Sequence, residues 1–206
     1  EGLQLSYKLV ANSVYGQMGA KTSPIYYNKL AACTTAIGRQ RIYDAKYGIQ
    51  GEKDTGKNGW WDSNEPIIGG KCIGVVEPPQ VIYGDTDSVF IKWSRKRLID
   101  GEIVELQGKQ ALQFAIDCGQ AAGSWVTTNR LNTTFIEDPD QGIYKPQDLE
   151  YEKTFLPFFL ISKKRYVADK YEFDITNCKR NSMGIVLKRR DNAPIVKHVF
   201  GNVIEK

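Results

Sequence analysis

The sequence predicts an α+β fold in which helices pack on an antiparallel sheet. Two long helix-forming segments open the chain, and short alternating strands separated by turn residues follow them. Helices and strands do not alternate in the regular order of parallel βαβ units, which favours antiparallel pairing. The 206 residues are 41% hydrophobic and 25% charged, so one substantial core is expected.

The composition limits the classes of protein to which this chain can belong. There is no apolar run of about 18 residues, so we predict no membrane span. The four cysteines are far apart and form no CxxC pair, which indicates reduced thiols of an intracellular protein. The formal net charge of +4 permits a polyanionic partner without requiring one.

The first two elements are predicted helices. Residues 3–18 carry good helix formers and no glycine or proline before Gly16. After a turn, residues 28–47 form a second predicted helix, with Asn28 as its N-cap and Gly48 as its end.

A long surface insertion is predicted over residues 49–80. Its glycine, asparagine and aspartate content is typical of loops, and short strands are expected near residues 72–76. Trp60 and Trp61 are expected to attach the insertion to the core through hydrophobic contacts.

The second half of the chain predicts a third helix and a further strand pair. Residues 107–128 have apolar side chains at helical spacing. Residues 149–155 and 158–167 are predicted strands interrupted by Pro157, and a new segment begins near residue 185.

The hexapeptide YGDTDS at residues 83–88 is predicted to lie at the tip of a β-hairpin. An apolar strand, 81–83, precedes the turn, and an alternating strand, 89–93, follows it. Asp85 and Asp87 therefore lie close together, and their mutual repulsion is relieved when a divalent cation binds. Mg²⁺ prefers carboxylate oxygens and leaves room for substrate phosphates, so the tip predicts a metal site for phosphoryl transfer.

The hexapeptide alone permits other interpretations. It could be a solvent-facing aspartate-rich turn, the DxD metal site of a glycosyltransferase, or the first motif of a haloacid-dehalogenase-type phosphatase. The second alternating strand directly after the motif disfavours the phosphatase. Gly84 is predicted at a turn position that needs positive φ or close backbone approach.

One face of the first predicted helix suits a nucleotide. Four polar side chains lie within about 80° of one another, and Leu3, Val10 and Val14 lie on the opposite side, available for packing. The four are Gln4, Lys8, Asn12 and Tyr15. A lysine suits phosphate, and an amide and a phenol suit sugar or base, although an ordinary amphipathic helix would show the same pattern. A nucleotide site requires the acidic tip to lie opposite this face.

Four motifs occur in the order found in family B DNA polymerases, and together they resemble that family. Residues 8–16 resemble its Kx3NSxYG motif, and residues 83–88 match its YGDTDS motif. Residues 162–166 resemble its KKRY motif, and Gly184 with the later RRDN at 189–192 resembles its palm–thumb junction. The chain is most similar in character to delta-type replicative polymerases and polymerases of large DNA viruses.

The resemblance implies a domain organisation. Residues 1–27 correspond to the C-terminal fingers helix and its junction to the palm. Residues 28–187 correspond to the palm, with the insertion at 49–80, and residues 188–206 to the start of the thumb.

The resemblance also implies residue roles. Asp87 is similar to the catalytic aspartate that ligates both metal ions, and Asp85 to a more peripheral carboxylate of the same site. The nucleotide-binding residues are Lys8, at the incoming triphosphate, and Asn12, Tyr15 and Gly16, at the nascent base pair. The implied DNA-binding residues are Thr86, Lys163, Lys164, Arg165, Tyr166, Arg189 and Arg190. Lys164 and Tyr166 resemble residues at the primer 3′ end, and the basic groups would contact the duplex backbone independently of sequence.

The implied activity is DNA-templated addition of a dNTP to a primer 3′ hydroxyl, with two Mg²⁺ ions, or Mn²⁺, as cofactors. The implied partners are primer–template DNA, a dNTP and a sliding clamp, the chain being monomeric and acting in the nucleus or at a viral replication site. No segment resembles the family's upstream aspartate motif, so we expect an incomplete piece that does not polymerise alone. A non-catalytic nucleic-acid-binding module is the alternative from another functional class.

Overall fold

The computed structural model describes residues 2–52, 59–61, 67–68, 71–132, 137–138, 142–143, 147–185 and 193–204. The helices are α1 (Gly2–Gly19), α2 (Asn28–Gln50), α3 (Gly108–Val126) and α4 (Pro194–Ile204), with a π-helical turn at Thr127–Leu131. The strands are β1 (Ile67–Ile68), β2 (Lys71–Cys72), β3 (Gln80–Asp85), β4 (Ser88–Lys92), β5 (Lys96–Ile99), β6 (Glu102–Glu105), β7 (Glu137–Asp138), β8 (Gly142–Ile143), β9 (Thr154–Ser162), β10 (Arg165–Tyr171) and β11 (Lys179–Met183).

The strands form small antiparallel sheets, which confirms the predicted α+β class. The β3–β4 hairpin carries the acidic tip, and β9, β10 and β11 form a three-stranded sheet with β10 in the centre. The β5–β6 hairpin follows directly after the first. Within the described ranges, no helix is both long and apolar enough to span a membrane.

The main core lies between α3 and the C-terminal half of α2. Phe114, Cys118 and Val126 of α3 pack there with Ile49 of α2, and all four are buried. Trp60 is 1% exposed and its ring lies edge-on to that of Trp93, with centroids 5.5 Å apart. The prediction that Trp60 attaches the insertion to the core is therefore confirmed.

The predicted ends of α2 were wrong at both termini. The helix begins after Tyr27, which occupies the N-cap position without a side-chain hydrogen bond, and Asn28 is its first residue. Gly48 does not end the helix, because Ile49 continues it into the core. A Cβ on Gly48 would lie 3.1 Å from Val126 Cγ2, so the glycine permits close helix packing instead, and Gly51, with φ of 78°, follows the last turn.

Pro157 does not divide a strand pair as predicted. It lies inside β9, and residues 149–153 are not a strand. The partner of β9 is β10, across the turn at Lys163 and Lys164. The proline is tolerated because β9 is an edge strand and because the register shifts at this point, between the pairs Phe158–Ala168 and Phe155–Lys170.

Helix α1 is exposed along its whole length. None of its residues is buried, and among the described elements it packs only against α2. Leu3 is 69%, Val10 61% and Val14 44% exposed, so the face predicted for packing is exposed in the structure.

Candidate active site

The tip of the β3–β4 hairpin is a tight turn with a strained central residue. The backbone N–H of Asp87 donates to the carbonyl oxygen of Asp85 at 2.6 Å. Thr86 lies between them with φ of 52°, in the left-handed region that a β-branched residue rarely adopts. Gly84 lies in β3 without positive φ, and a Cβ there would lie no closer than 3.5 Å to any neighbour, so the predicted need for glycine at this position was wrong. The strain at Thr86 is typical of a functional turn.

Asp85 is held by three neighbouring groups. The Lys164 ammonium lies 3.2 Å from Oδ1, the Thr86 hydroxyl donates to Oδ1 at 3.1 Å, and the Tyr83 hydroxyl donates to Oδ2 at 3.3 Å. Partial burial raises the pKa of Asp85, but the hydrogen bonds from Lys164, Thr86 and Tyr83 outweigh it and keep the pKa below its ordinary value. Asp85 is therefore ionised and already paired.

Asp87 differs from Asp85 in its exposure and in its lack of a partner. Its side chain is exposed, and it makes no hydrogen bond or ion pair with any described residue. An exposed, unpaired carboxylate beside a paired one is suited to accept a hard cation such as Mg²⁺. Among the described residues, no three or more His, Cys, Asp and Glu side chains are grouped so that they could hold a metal ion. The tip therefore offers only part of a full ligand set.

The turn between β9 and β10 lies against the acidic tip. The backbone N–H of Lys164 donates to the Tyr83 hydroxyl oxygen at 2.9 Å. Lys164 has φ of 61°, and Gly184, with φ of 63°, lies against it. A Cβ on Gly184 would lie 2.1 Å from the Lys164 carbonyl oxygen, so only glycine fits there.

An aromatic cluster joins the hairpin to the three-stranded sheet. The Phe90 ring of β4 lies at its centre, with centroid distances of 5.1 Å to Tyr83, 5.9 Å to Phe155, 5.6 Å to Phe158 and 5.7 Å to Tyr166. Such ring pairs stabilise beyond the area that they bury. The cluster therefore fixes the relative positions of the two carboxylates and the basic turn.

The tip and the turn face a common space. Asp85, Asp87 and Lys164 line one open cavity of about 1180 Å³, together with residues of α3 and the start of β9. A polyanion bound in this cavity could contact the lysine and share a cation with the carboxylates.

Comparison with known proteins shows the family to which the chain belongs. The family model for DNA polymerase family B matches residues 1–107 and 127–206 and leaves out only residues 108–126, which form α3. The chain belongs to DNA polymerase family B. The glycosyltransferase and phosphatase interpretations of the hexapeptide are thereby removed.

Individual polymerases are similar over the whole chain. The DNA polymerase of Pyramimonas orientalis virus is 43% identical over 205 residues, which cover 100% of this chain and 14% of the viral protein. The DNA polymerase delta catalytic subunit of Schizosaccharomyces pombe is 31% identical over 206 residues, covering 100% of this chain and 15% of that subunit. The Candida albicans subunit is 32% identical over 205 residues, covering 99% and 16%. The chain thus spans about 15% of the length of these relatives.

The structure brings together some of the predicted polymerase residues and separates others. The tip, Asp85 to Asp87, and the turn, Lys163 to Arg165, lie side by side. Tyr166 adjoins that turn, but it is only 6% exposed and its ring belongs to the aromatic cluster. Arg189 and Arg190 lie outside the described residues.

The four predicted nucleotide-contacting residues, Lys8, Asn12, Tyr15 and Gly16, lie on α1. All four are exposed, and α1 makes no contact with the hairpin. None of them lines the cavity beside the tip. The expected juxtaposition of the tip with this helix face is therefore not present in the structure, and membership in the family rests on the comparisons instead.

Tyr83 and Gly184 lie in motifs that resemble those of the family, but the sequence predicted no role at the site for either. Tyr83 connects the tip to the basic turn, and Gly184 permits the close approach on the other side of that turn. The only local signal for Tyr83 was its position directly before the acidic turn. No local signal indicated that Gly184 would meet Lys164.

Proposed function

We propose that this chain is a segment of a DNA polymerase, from the end of the fingers through the palm to the start of the thumb, and that the polymerase adds dNTPs to a primer 3′ hydroxyl on a DNA template. Residues 1–27 are assigned to the fingers, 28–187 to the palm with its insertion at 49–80, and 188–206 to the start of the thumb. The observation that carries the proposal is the acidic tip, where an unpaired Asp87 lies beside an Asp85 that is paired with Lys164.

The proposed reaction is attack of the primer 3′ hydroxyl on the α-phosphate of the dNTP, with release of pyrophosphate. Asp87 is the residue that would hold Mg²⁺, or Mn²⁺, and Asp85 would add negative charge beside it. Such cations, when bound, stabilise the charge that develops on the phosphate oxygens and on the attacking and leaving groups. That two ions bind at this tip, and that they are Mg²⁺ or Mn²⁺, is part of the proposal.

The remaining assigned residues would bind the two substrates. Lys163, Lys164 and Arg165 present positive charge beside the tip, which suits the phosphate backbone of the primer strand. Thr86 lies at the tip itself, where the primer end would lie. Lys8, Asn12, Tyr15 and Gly16 of α1 would contact the incoming dNTP, which requires α1 to lie nearer the tip in the complete polymerase than it does in this structure. We further propose that the polymerase acts as a monomer with a sliding clamp as its partner. It would act in the nucleus or at a viral replication site.

The test is primer extension by the full-length polymerase that contains this segment. Asp87→Ala is expected to lower the rate by more than about 100-fold, beyond the 10- to 100-fold typical when a group that only supports a metal ligand is removed. Asp85→Ala is expected to fall within that smaller range. Asp174→Ala is the matched control, because Asp174 is exposed and lies in the loop after β10, at the end of that strand away from the tip.

The proposal fails if the unmodified polymerase does not extend a primer, or if Asp87→Ala extends as fast as Asp174→Ala. A polymerase that binds primer–template DNA without extending it would support the non-catalytic module instead.

A further inference from the structure

The Tyr83 hydroxyl connects two parts of the site that are far apart in sequence. It accepts the backbone N–H of Lys164 at 2.9 Å and donates to Asp85 Oδ2 at 3.3 Å. One hydroxyl therefore joins the turn between β9 and β10 to the acidic tip, across 81 positions of sequence. Its donor is used for the carboxylate, and its acceptor for the turn.

The turn needs such a contact. Lys164 is a non-glycine residue with φ of 61°, a conformation that persists only where the surroundings impose it. Gly184 contacts the Lys164 carbonyl from one side, and Tyr83 binds its N–H from the other. The N–H and the carbonyl group of Lys164 are thereby both held in position.

The Tyr83 ring is itself held in place. It packs on Phe90 with a centroid distance of 5.1 Å, and Phe90 also contacts Tyr166, two residues beyond Lys164. Packing on Phe90 of β4 therefore helps to hold the hydroxyl in place. The Lys164 ammonium reaches Asp85 at 3.2 Å from a backbone that Tyr83 has positioned.

We propose that Tyr83 is a positioning residue that holds Lys164 at a fixed distance from the metal-binding tip, so that the primer backbone is bound in register with the carboxylates. This inference rests on the proposed polymerase function. Tyr83 contacts neither substrate itself in this proposal. It acts by positioning the Lys164 backbone and, through that backbone, the Lys164 side chain.

The test uses Tyr83→Phe in the full-length polymerase, because phenylalanine keeps the ring on Phe90 and removes only the hydroxyl. Tyr151→Phe is the matched control, since its hydroxyl contacts Thr154 Oγ1 at 2.9 Å and the Glu172 carbonyl at 3.0 Å, near the opposite end of the β9–β10 pair. Binding of a labelled primer–template is measured over a range of salt concentrations. The Mg²⁺ dependence of single-turnover extension is measured in parallel.

Tyr83→Phe is expected to weaken primer–template binding about 3- to 10-fold, the effect of one hydrogen bond. The slope of log affinity against log salt should become shallower by up to about 0.9, the value of one lost phosphate contact. The Mg²⁺ concentration for half-maximal rate should not change. A purely structural loss would lower stability without changing the salt slope, as expected for Tyr151→Phe.

Two further variants separate the possible results. In a Lys164→Ala background, Tyr83→Phe is expected to weaken binding by less than about twofold, because the group that it positions is gone. Gly184→Ala displaces the same turn without touching Tyr83 and should also reduce the salt slope. The inference is overturned if Tyr83→Phe leaves the affinity and the salt slope unchanged, or if its effect is just as large in the Lys164→Ala background. In either case, an active wild type and an inactive Asp87→Ala would leave the proposed function intact. A wild type that neither binds nor extends a primer would overturn both.

Discussion

Gly184 is the position where a single added methyl group should disturb the candidate site most. Its φ of 63° lies in the left-handed region, and a Cβ there would lie 2.1 Å from the Lys164 carbonyl oxygen. The obstructing atom belongs to the backbone, so it cannot rotate away as a side-chain end could. Either β11 or the turn before β10 must move, and the turn carries the lysine that pairs with Asp85.

The expected cost of Gly184→Ala has two parts. Left-handed backbone costs an alanine about 1 kcal/mol relative to glycine. Overpacking against a fixed neighbour adds about 1–3 kcal/mol. The free energy of unfolding should therefore fall by about 2–4 kcal/mol.

The control is Gly108→Ala. Gly108 has a similar φ of 51°, but no atom lies within 4 Å of the position that its Cβ would take. This variant should lose only the first part, about 1 kcal/mol. Urea unfolding of both variants, followed by circular dichroism, measures the difference directly. If the two variants unfold with free energies equal within about 0.5 kcal/mol, the close approach at Lys164 does not constrain the turn.

Three further predictions concern the core, the thiols and the ion pair. Trp60→Ala should lower the free energy of unfolding by about 3–5 kcal/mol in the same urea experiment, because it empties a fully buried site, and a loss below about 1 kcal/mol would contradict that burial. Cys118 is buried and burial raises its pKa, so iodoacetamide should modify the exposed Cys33 in the native protein and reach Cys118 only after unfolding; equal rates would refute this. Because the folded pKa of Asp85 is lowered, the stability from its pair with Lys164 is present above the ordinary value of 3.8 and is lost as pH falls through the lower folded value. Carbon-13 NMR titration of the Asp85 carboxyl should give a midpoint below 3.8, and a midpoint at or above it would show that the pair is absent in solution.

Local patterns predicted the elements that depend on local forces. The α1 helix, the acidic hairpin and the third helix were each predicted within a few residues of their observed bounds, because helix propensity, alternation and turn chemistry act between near neighbours. The four ordered motifs identified the polymerase family, which the family match over 1–107 and 127–206 confirmed. Boundaries failed where packing outweighed the local signal, as at Gly48, which stays helical because Val126 lies against it.

By itself, the sequence determined the family, the fold class and the pair of carboxylates at the hairpin tip. Only the tertiary structure decided how those carboxylates differ, with Asp85 paired to Lys164 and Asp87 left unpaired. It also showed that α1 does not contact the tip and that the Tyr83 hydroxyl does contact the distant turn. The physical reason is that these contacts join segments about 80 residues apart, and their geometry follows from how the aromatic cluster packs two sheets together, which no local periodicity encodes.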